Sequence, residues 1–265
     1  MCEIDKSEFE IDTFISERLS SAKNEKQAIV LVGGPGSGKS SGKLAAVSSL
    51  QKTIQDFANI DPDEILSKLF NNDNSCRPQV NKINDKSYEI AIEQDKNIIF
   101  DGTGKDFEWY STDVLKKLKD KEYNVILVIV MNNVENVLAR IKKRAEEEGR
   151  NVPEDYTRSV YNTLSSAIPK YLSLDCGYAD SIYLYDNSKE SIHLIYRTSC
   201  KDGVKKLTIG GGKIPSSKNK KSRRRTTRKS KRNSKRNSKR NSKRNSKRNS
   251  KRKSKRKSKR KSTKK

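Results

Sequence analysis

Gly33, Gly34, Pro35, Gly36, Ser37, Gly38, Lys39 and Ser40 follow the pattern G-x-x-x-x-G-K-[ST], a spacing suited to gripping phosphates. The glycines let the backbone turn its N–H groups inward, and a helix N-terminus adds partial positive charge. Lys39 then reaches the outer phosphates and the Ser40 hydroxyl is placed to ligate Mg²⁺. The loop from Gly33 to Ser41 is therefore expected to bind the phosphates of a nucleotide with Mg²⁺. Where the γ-phosphate goes depends on acids elsewhere. Asp61-Pro62-Asp63-Glu64 and Asp101-Gly102-Thr103-Gly104 each follow an apolar stretch. A kinase needs one carboxylate within reach of the acceptor hydroxyl and another that holds Mg²⁺ directly or through water. The plainer use of Asp61 or Asp63 is to cap a helix beginning near Glu64.

A third group of residues is cationic. Arg140 and Arg144, four apart, border a helical stripe of Val134, Val137, Leu138, Ile141 and Ala145. Gly149 suits a C-cap and Pro153 a first helical position, so Arg150 would ride a tight turn between two helices. An arginine on such a turn can close over the charge developing between donor and acceptor. The alternative is a solvated, charged helix end.

These residues need strands and helices to hold them. Gln27 to Val32 reads as a buried strand before the glycine loop, with a helix from Lys39 to about Gln55 after it. Weak strand character at Phe57 to Asp61 precedes helices at Glu64 to Phe70 and Gln79 to Gln94. Then come strand Asn97 to Phe100, helix Trp109 to Asp120, strand Asn124 to Met131 and helix Val134 to Glu148. A helix from Pro153 to about Ala167 is expected to stop or kink near Pro169, before strand Ser181 to Tyr185. The alternation predicts an α/β fold, a mainly parallel sheet with helices on both faces, whose ligands bind beyond the carboxyl ends of its strands. Ile192 to Thr198 and Val204 to Ile209 read as an antiparallel edge addition. Ser7 with Glu10 caps a docking helix over residues 7–20, with Ile11, Phe14, Ile15 and Leu19 on one face.

Charge divides the chain sharply: residues 1–212 carry a net −4 and residues 213–265 a net +30. The expected organisation is a docking helix within 1–24, a domain over 25–212 and a basic tail over 213–265. From Lys231 to Ser262 that tail is eight four-residue units, five Lys-Arg-Asn-Ser and three Lys-Arg-Lys-Ser. With Ile214 its one large aliphatic residue, it lacks the apolar surface to offset ordering and reads as disordered. It would attract polyanions, including nucleic acid, through phosphate contacts without sequence readout, and it has the composition of a nuclear localisation signal. No apolar run suffices for a membrane helix, and the acidic start is unlike a secretion signal. The reading is an intracellular protein, cytoplasmic or nuclear through the tail, with no membrane partner. Cys2, Cys76, Cys176 and Cys200 show no paired spacing and read as reduced thiols. His193, the one histidine, reads as a strand residue.

The glycine loop, Ile60-Asp-Pro-Asp63-Glu-Ile, Phe100-Asp-Gly-Thr-Gly104, the arginine-rich helix ending in Gly149-Arg150-Asn-Val-Pro, and Tyr185-Asp186-Asn187-Ser188 together resemble the zeta-toxin family of P-loop kinases, in the family's order, over roughly residues 25–200. The resemblance implies a P-loop kinase-type three-layer sandwich and phosphorylation of a small hydroxyl acceptor, in characterised bacterial members a sugar hydroxyl of UDP-N-acetylglucosamine, using ATP or GTP and Mg²⁺. It makes Lys39 the phosphate lysine, Ser40 and Asp101 the metal residues, Asp63 the base, and Arg144 and Arg150 the charge-stabilising arginines, with Arg140 as an alternative to Arg144. Thr103 and Asp85 would contact the acceptor, with Glu89 as an alternative to Asp85. Lys105 stands where the family often has arginine, and a lysine lacks the bidentate fork. Two other readings stay open: a polynucleotide 5′-hydroxyl kinase whose tail gathers substrate, and an inactive P-loop module carried to nucleic acid by the tail.

Overall fold

The computed structural model describes residues 2–148, 152–189, 191–201, 204–208 and 212–213. The chain divides into two units, Met1–Ile214 and Pro215–Lys265, and the second, with the expectation of a disordered tail, lies outside the described residues.

Helix α1, Glu8–Ser20, opens on the expected capping box, with the Ser7 side chain accepting from the Glu10 N–H while Glu10 reaches back to the Ser7 N–H. Its buried Ile15 and Leu19 dock it on the domain. Strand β1, Gln27–Val32, is buried from Ala28 onward because strands lie on both sides of it. Helix α2, Lys39–Ser49, ends earlier than expected, because Gln51 takes a positive φ of 57° and a short 3₁₀ turn at Ile54–Asp56 follows. Strand β2, Ala58–Ile60, leads into α3, Pro62–Phe70, whose proline sits in the first turn, where its missing N–H costs least. Helix α4, Arg77–Glu93, precedes β3, Ile98–Asp101. A continuous helical segment then runs as α5, Phe107–Trp109, a π-helical stretch, Tyr110–Lys116, and α6, Lys117–Asp120. Strand β4, Asn124–Met131, and α7, Val134–Glu148, keep their expected bounds.

Helix α8, Glu154–Ser173, does not stop at Pro169 but continues through it, past the expected end near Ala167. A proline inside a helix costs about 3 kcal/mol or more. Fully buried Tyr171 lies beyond it, and its packing keeps the last turn helical.

The sheet order is β2-β3-β1-β4-β5-β6-β7, with β5 Ser181–Asp186, β6 His193–Lys201 and β7 Val204–Thr208; a short β8, Gly212–Lys213, pairs with β6. Strands β2, β3, β1, β4 and β5 are parallel, and β6, β7 and β8 add antiparallel pairs, as expected. The strands alternate between two cores. Val30, Val32, Ile60, Phe100 and Leu127 face α1, α3, α4 and α8, while Ile29, Leu31, Val128 and Tyr185 face α2 through Ala46 and Val47.

Register brings the loops together. Leu31 pairs with Asp101, and Ile60 with Phe100, so Asp61 follows β2 directly beside Asp101 and both lie next to the turn that leaves β1.

The cysteines are a further correction: Cys2 is joined to Cys76 and Cys176 to Cys200. Each pair is far apart in the chain and is brought together by the fold, so local spacing could not reveal it. Among the described residues no helix is long and apolar enough to cross a membrane.

Candidate active site

The phosphate loop is braced by side chains that lie outside its motif. Gly38 has φ +94°, and a Cβ there would lie 2.0 Å from Asn187 Nδ2, so only glycine accommodates the approach. That Asn187 amide donates to the Ser37 carbonyl at 2.8 Å. Arg140 on α7 donates to the Asn187 carbonyl at 3.3 Å and the Gly36 carbonyl at 3.5 Å. Tyr161 on α8 donates its hydroxyl to the Pro35 carbonyl at 3.2 Å. Inside the loop, the Ser37 hydroxyl is buried without a hydrogen-bond partner. Lys39 Nζ rests on the Gly33 carbonyl at 2.8 Å, with Asp101 Oδ1 3.9 Å away. An orphaned hydroxyl, an ammonium and the N-terminus of α2 in one cradle fit a phosphate group. Ser40, in the first turn of α2, and Asp101 supply a hydroxyl and a carboxylate, the hard oxygen ligands Mg²⁺ takes alongside phosphate oxygens and water.

The two candidate acids after β2 separate in role. Asp61 is the N-cap of α3 and accepts from the Asp63 N–H at 2.9 Å. Burial, then the charges of Asp101 and Asp63, push its carboxyl up to about 6. Asp63, turned outward by one helical step, pairs with Arg77 of α4 at 2.8 Å and keeps 39% of its side chain exposed. Behind Asp61, Arg18 of α1 donates from Nη2 to the Asp61 carbonyl at 3.2 Å and to Glu64 at 3.1 Å.

The loop after β3 is tied to the phosphate loop directly, for the Gly33 N–H donates to the Thr103 carbonyl at 3.0 Å. Gly104 has φ +68°, and a Cβ there would meet Val32 Cγ2 at 2.6 Å. The buried Tyr171 hydroxyl donates to the Gly104 carbonyl at 2.8 Å. Lys105 is exposed and lies 5.3 Å from the centre of the Tyr156 ring at the start of α8.

The structure thus gathers Gly33 to Ser41, Asp61, Asp101 and Thr103 at one end of the sheet, with Asp63 opening α3 beside them. It does not bring every expected residue there. Asp85 is exposed on α4, and no described contact ties it to the Thr103 loop; Glu89, one turn on, pairs with Lys117. Arg144 is exposed on α7, whereas Arg140 is the arginine against the phosphate loop. Arg150 lies outside the described residues. Sequence reasoning missed Asn187, Tyr161, Tyr171, Arg77, Arg18 and Lys43 as site residues. The one local signal was the position of Asn187 just past the β5 strand end, where ligands of such sheets gather.

A parallel sheet with a phosphate loop after its central strand, acids at the ends of β2 and β3 and an arginine-bearing helix against the loop defines a P-loop kinase-like protein. Within that class the chain belongs to the zeta toxin family, whose model, Zeta toxin, matches residues 13–199. A search of curated protein sequences returns no match. Among solved structures, the chain is similar to one from the PezAT chromosomal toxin–antitoxin system of Streptococcus pneumoniae, with 19% identity and a TM-score of 0.56 over 73% of this chain and 83% of that one. It is also similar to a chain of the AvrRxo1-ORF1:AvrRxo1-ORF2 complex with sulphate ions, with 15% identity and a TM-score of 0.57 over 75% and 68%. A structure of that complex with ATP gives a TM-score of 0.56 at 15% identity over the same shares. At these identities the likeness is one of fold.

Proposed function

We propose that the protein transfers the γ-phosphate of ATP or GTP to a hydroxyl of a small acceptor, with a nucleotide sugar of the UDP-N-acetylglucosamine type as the leading candidate. The observation that supports this reading is the hydrogen bond from the Gly33 N–H to the Thr103 carbonyl, which ties the phosphate loop to the loop after β3, next to Asp61 and Asp101. Lys39 exchanges the Gly33 carbonyl for phosphate oxygens when nucleotide enters. Ser40 and Asp101 would hold Mg²⁺, which supplies charge neutralisation between the β- and γ-phosphates.

Asp63 acts as the base that takes the acceptor hydroxyl proton, while Arg77 beside it fixes the carboxylate. The acceptor oxygen bonds to the γ-phosphorus as the bond to the β-phosphate oxygen breaks, leaving the nucleoside diphosphate. Thr103, Lys105 and Asp85, with Glu89 as the alternative to Asp85, orient the acceptor. Arg144 and Arg150 offset the charge of the transferring group, and Arg140 braces the loop itself.

The test is incubation of the full chain with γ-labelled ATP and a panel of nucleotide sugars, nucleosides and 5′-hydroxyl oligonucleotides. Label on a nucleotide sugar supports the reading. The +30 charge of residues 213–265 favours a second one, a nucleic-acid acceptor gathered by phosphate contacts. Label on the oligonucleotide, lost when the chain is cut after Ile214, would establish that alternative. No transfer to any member would leave the inactive-module reading.

A further inference from the structure

Lys43 plays no part in the phosphate-loop motif, yet it reaches the same acid as Lys39. The two lysines are four residues apart on α2 and so share a face. Lys43 Nζ lies 3.4 Å from Asp101 Oδ2, and Lys39 Nζ lies 3.9 Å from Asp101 Oδ1. The carboxylate is thus divided, with one oxygen engaged by Lys43 and the other turned to the phosphate lysine. Both side chains are largely out of water, Lys43 at 15% exposure and Asp101 at 12%.

The ammonium is also anchored from behind. Asn59 Oδ1 of β2 is 3.5 Å from Lys43 Nζ, Asn59 Nδ2 donates to Glu64 at 2.8 Å, and Glu64 pairs with Arg18 at 3.1 Å. A line of polar contacts therefore runs from α1 under β2 to Asp101. Leaving a lysine in a half-dry site costs desolvation, and a methionine would pack there more cheaply if fill were all that was needed. Outer-shell partners of metal-binding carboxylates fix their orientation, and losing one typically weakens metal binding 10–100-fold.

We propose that Lys43 is a positioning residue that holds Asp101 by Oδ2 and so presents Oδ1 to the metal and phosphate side. The proposal rests on the phosphotransferase reading above, because it needs a metal at Asp101. It differs in sign from a purely electrostatic role. Removing a positive charge from beside a cation site strengthens cation binding by Coulomb's law, whereas releasing the rotamer of Asp101 weakens it.

The test uses the metal-free full-length protein with a non-hydrolysable ATP analogue, titrated with Mn²⁺ and read from the electron paramagnetic resonance signal of free Mn²⁺. Lys43→Met should raise the Mn²⁺ dissociation constant of the ternary complex about 10-fold, while Lys43→Arg, which still donates to the carboxylate, stays within about threefold of wild type. Affinity for the analogue without metal should change less than about twofold, because no nucleotide contact is removed. Unchanged or tighter Mn²⁺ binding in Lys43→Met, with an unaltered circular dichroism spectrum, would overturn the proposal. If Lys43→Met does not fold, Lys43→Arg decides: arginine binding Mn²⁺ at least about 10-fold more weakly than wild type would also overturn it. A wild-type protein that takes up no Mn²⁺ with the analogue would overturn the phosphotransferase reading itself, a result distinct from the failure of the variant.

Discussion

At the end of β1 the site presents main chain: a glycine-rich loop held at Ser37, Pro35 and Gly36 by Asn187, Tyr161 and Arg140. At the ends of β2 and β3 it presents side chains, Asp61, Asp63, Asp101 and Thr103, whose supports come from α1, α2, α4 and α8. A main-chain site must be contiguous, because consecutive peptide groups build it. A side-chain site can draw each group from a different element. On the proposed function, the phosphate loop tolerates little change, while the β2 and β3 ends, where the acceptor would bind, can be altered residue by residue. Choice of acceptor belongs to the second region.

The largest effect separating the two regions should come from the donor end. Lys39→Ala removes the ammonium that reaches the transferring group and should lower transfer at least about 100-fold for every acceptor, by analogy with a single lost electrostatic donor. Initial rates with γ-labelled ATP check this. A loss confined to one acceptor would mean that the two regions are not divided as described.

The acid pair supplies the next effect. Asp61 shifts from the ordinary value of about 3.9 to about 6 on folding, so the folded state binds the proton more tightly than the unfolded chain. Its contribution to stability is therefore greatest below about pH 4 and is lost as pH rises through 6, a change of about 2–3 kcal/mol. Asp61→Asn, which can still cap α3, should abolish that slope and make the metal-free protein more stable than wild type at pH 7.5 in urea unfolding. A slope that survives the substitution would assign it to another group.

A smaller effect sharpens the acceptor end alone. Tyr171→Phe leaves the buried Gly104 carbonyl without its donor and should cost about 1–2 kcal/mol of stability. The acceptor KM should rise about fivefold as the Thr103 loop loosens, with the nucleotide KM unchanged. Equal rises in both constants would show that the Gly33–Thr103 bond transmits the disturbance to the donor loop.

What could be read before folding follows the same division. The phosphate loop, the strands Gln27–Val32 and Asn124–Met131 and the Ser7–Glu10 cap are local patterns and stand where expected. The assignment of capping to Asp61 rather than Asp63 needed the backbone at the start of α3, for both residues are suited to it. Asn187 on Ser37 and Tyr171 on Gly104 are contacts across 150 and 67 residues, visible only once register is known. The Cys2–Cys76 and Cys176–Cys200 pairs escaped for the same reason. Pro169 misled because a local rule was outweighed by burial of Tyr171 beyond it.

On the proposed mechanism Asp63 removes the acceptor proton, while the adjoining phosphate loop holds the nucleotide. Asp63→Asn keeps size and the geometry of the turn but removes the basic oxygen. Measured together on the purified full-length protein, nucleotide affinity should stay within about twofold of wild type while transfer to the best acceptor of the panel falls about 100-fold or more. Full transfer by Asp63→Asn, with transfer abolished in Asp61→Asn, would contradict the account and move the base to the buried acid beside Asp101.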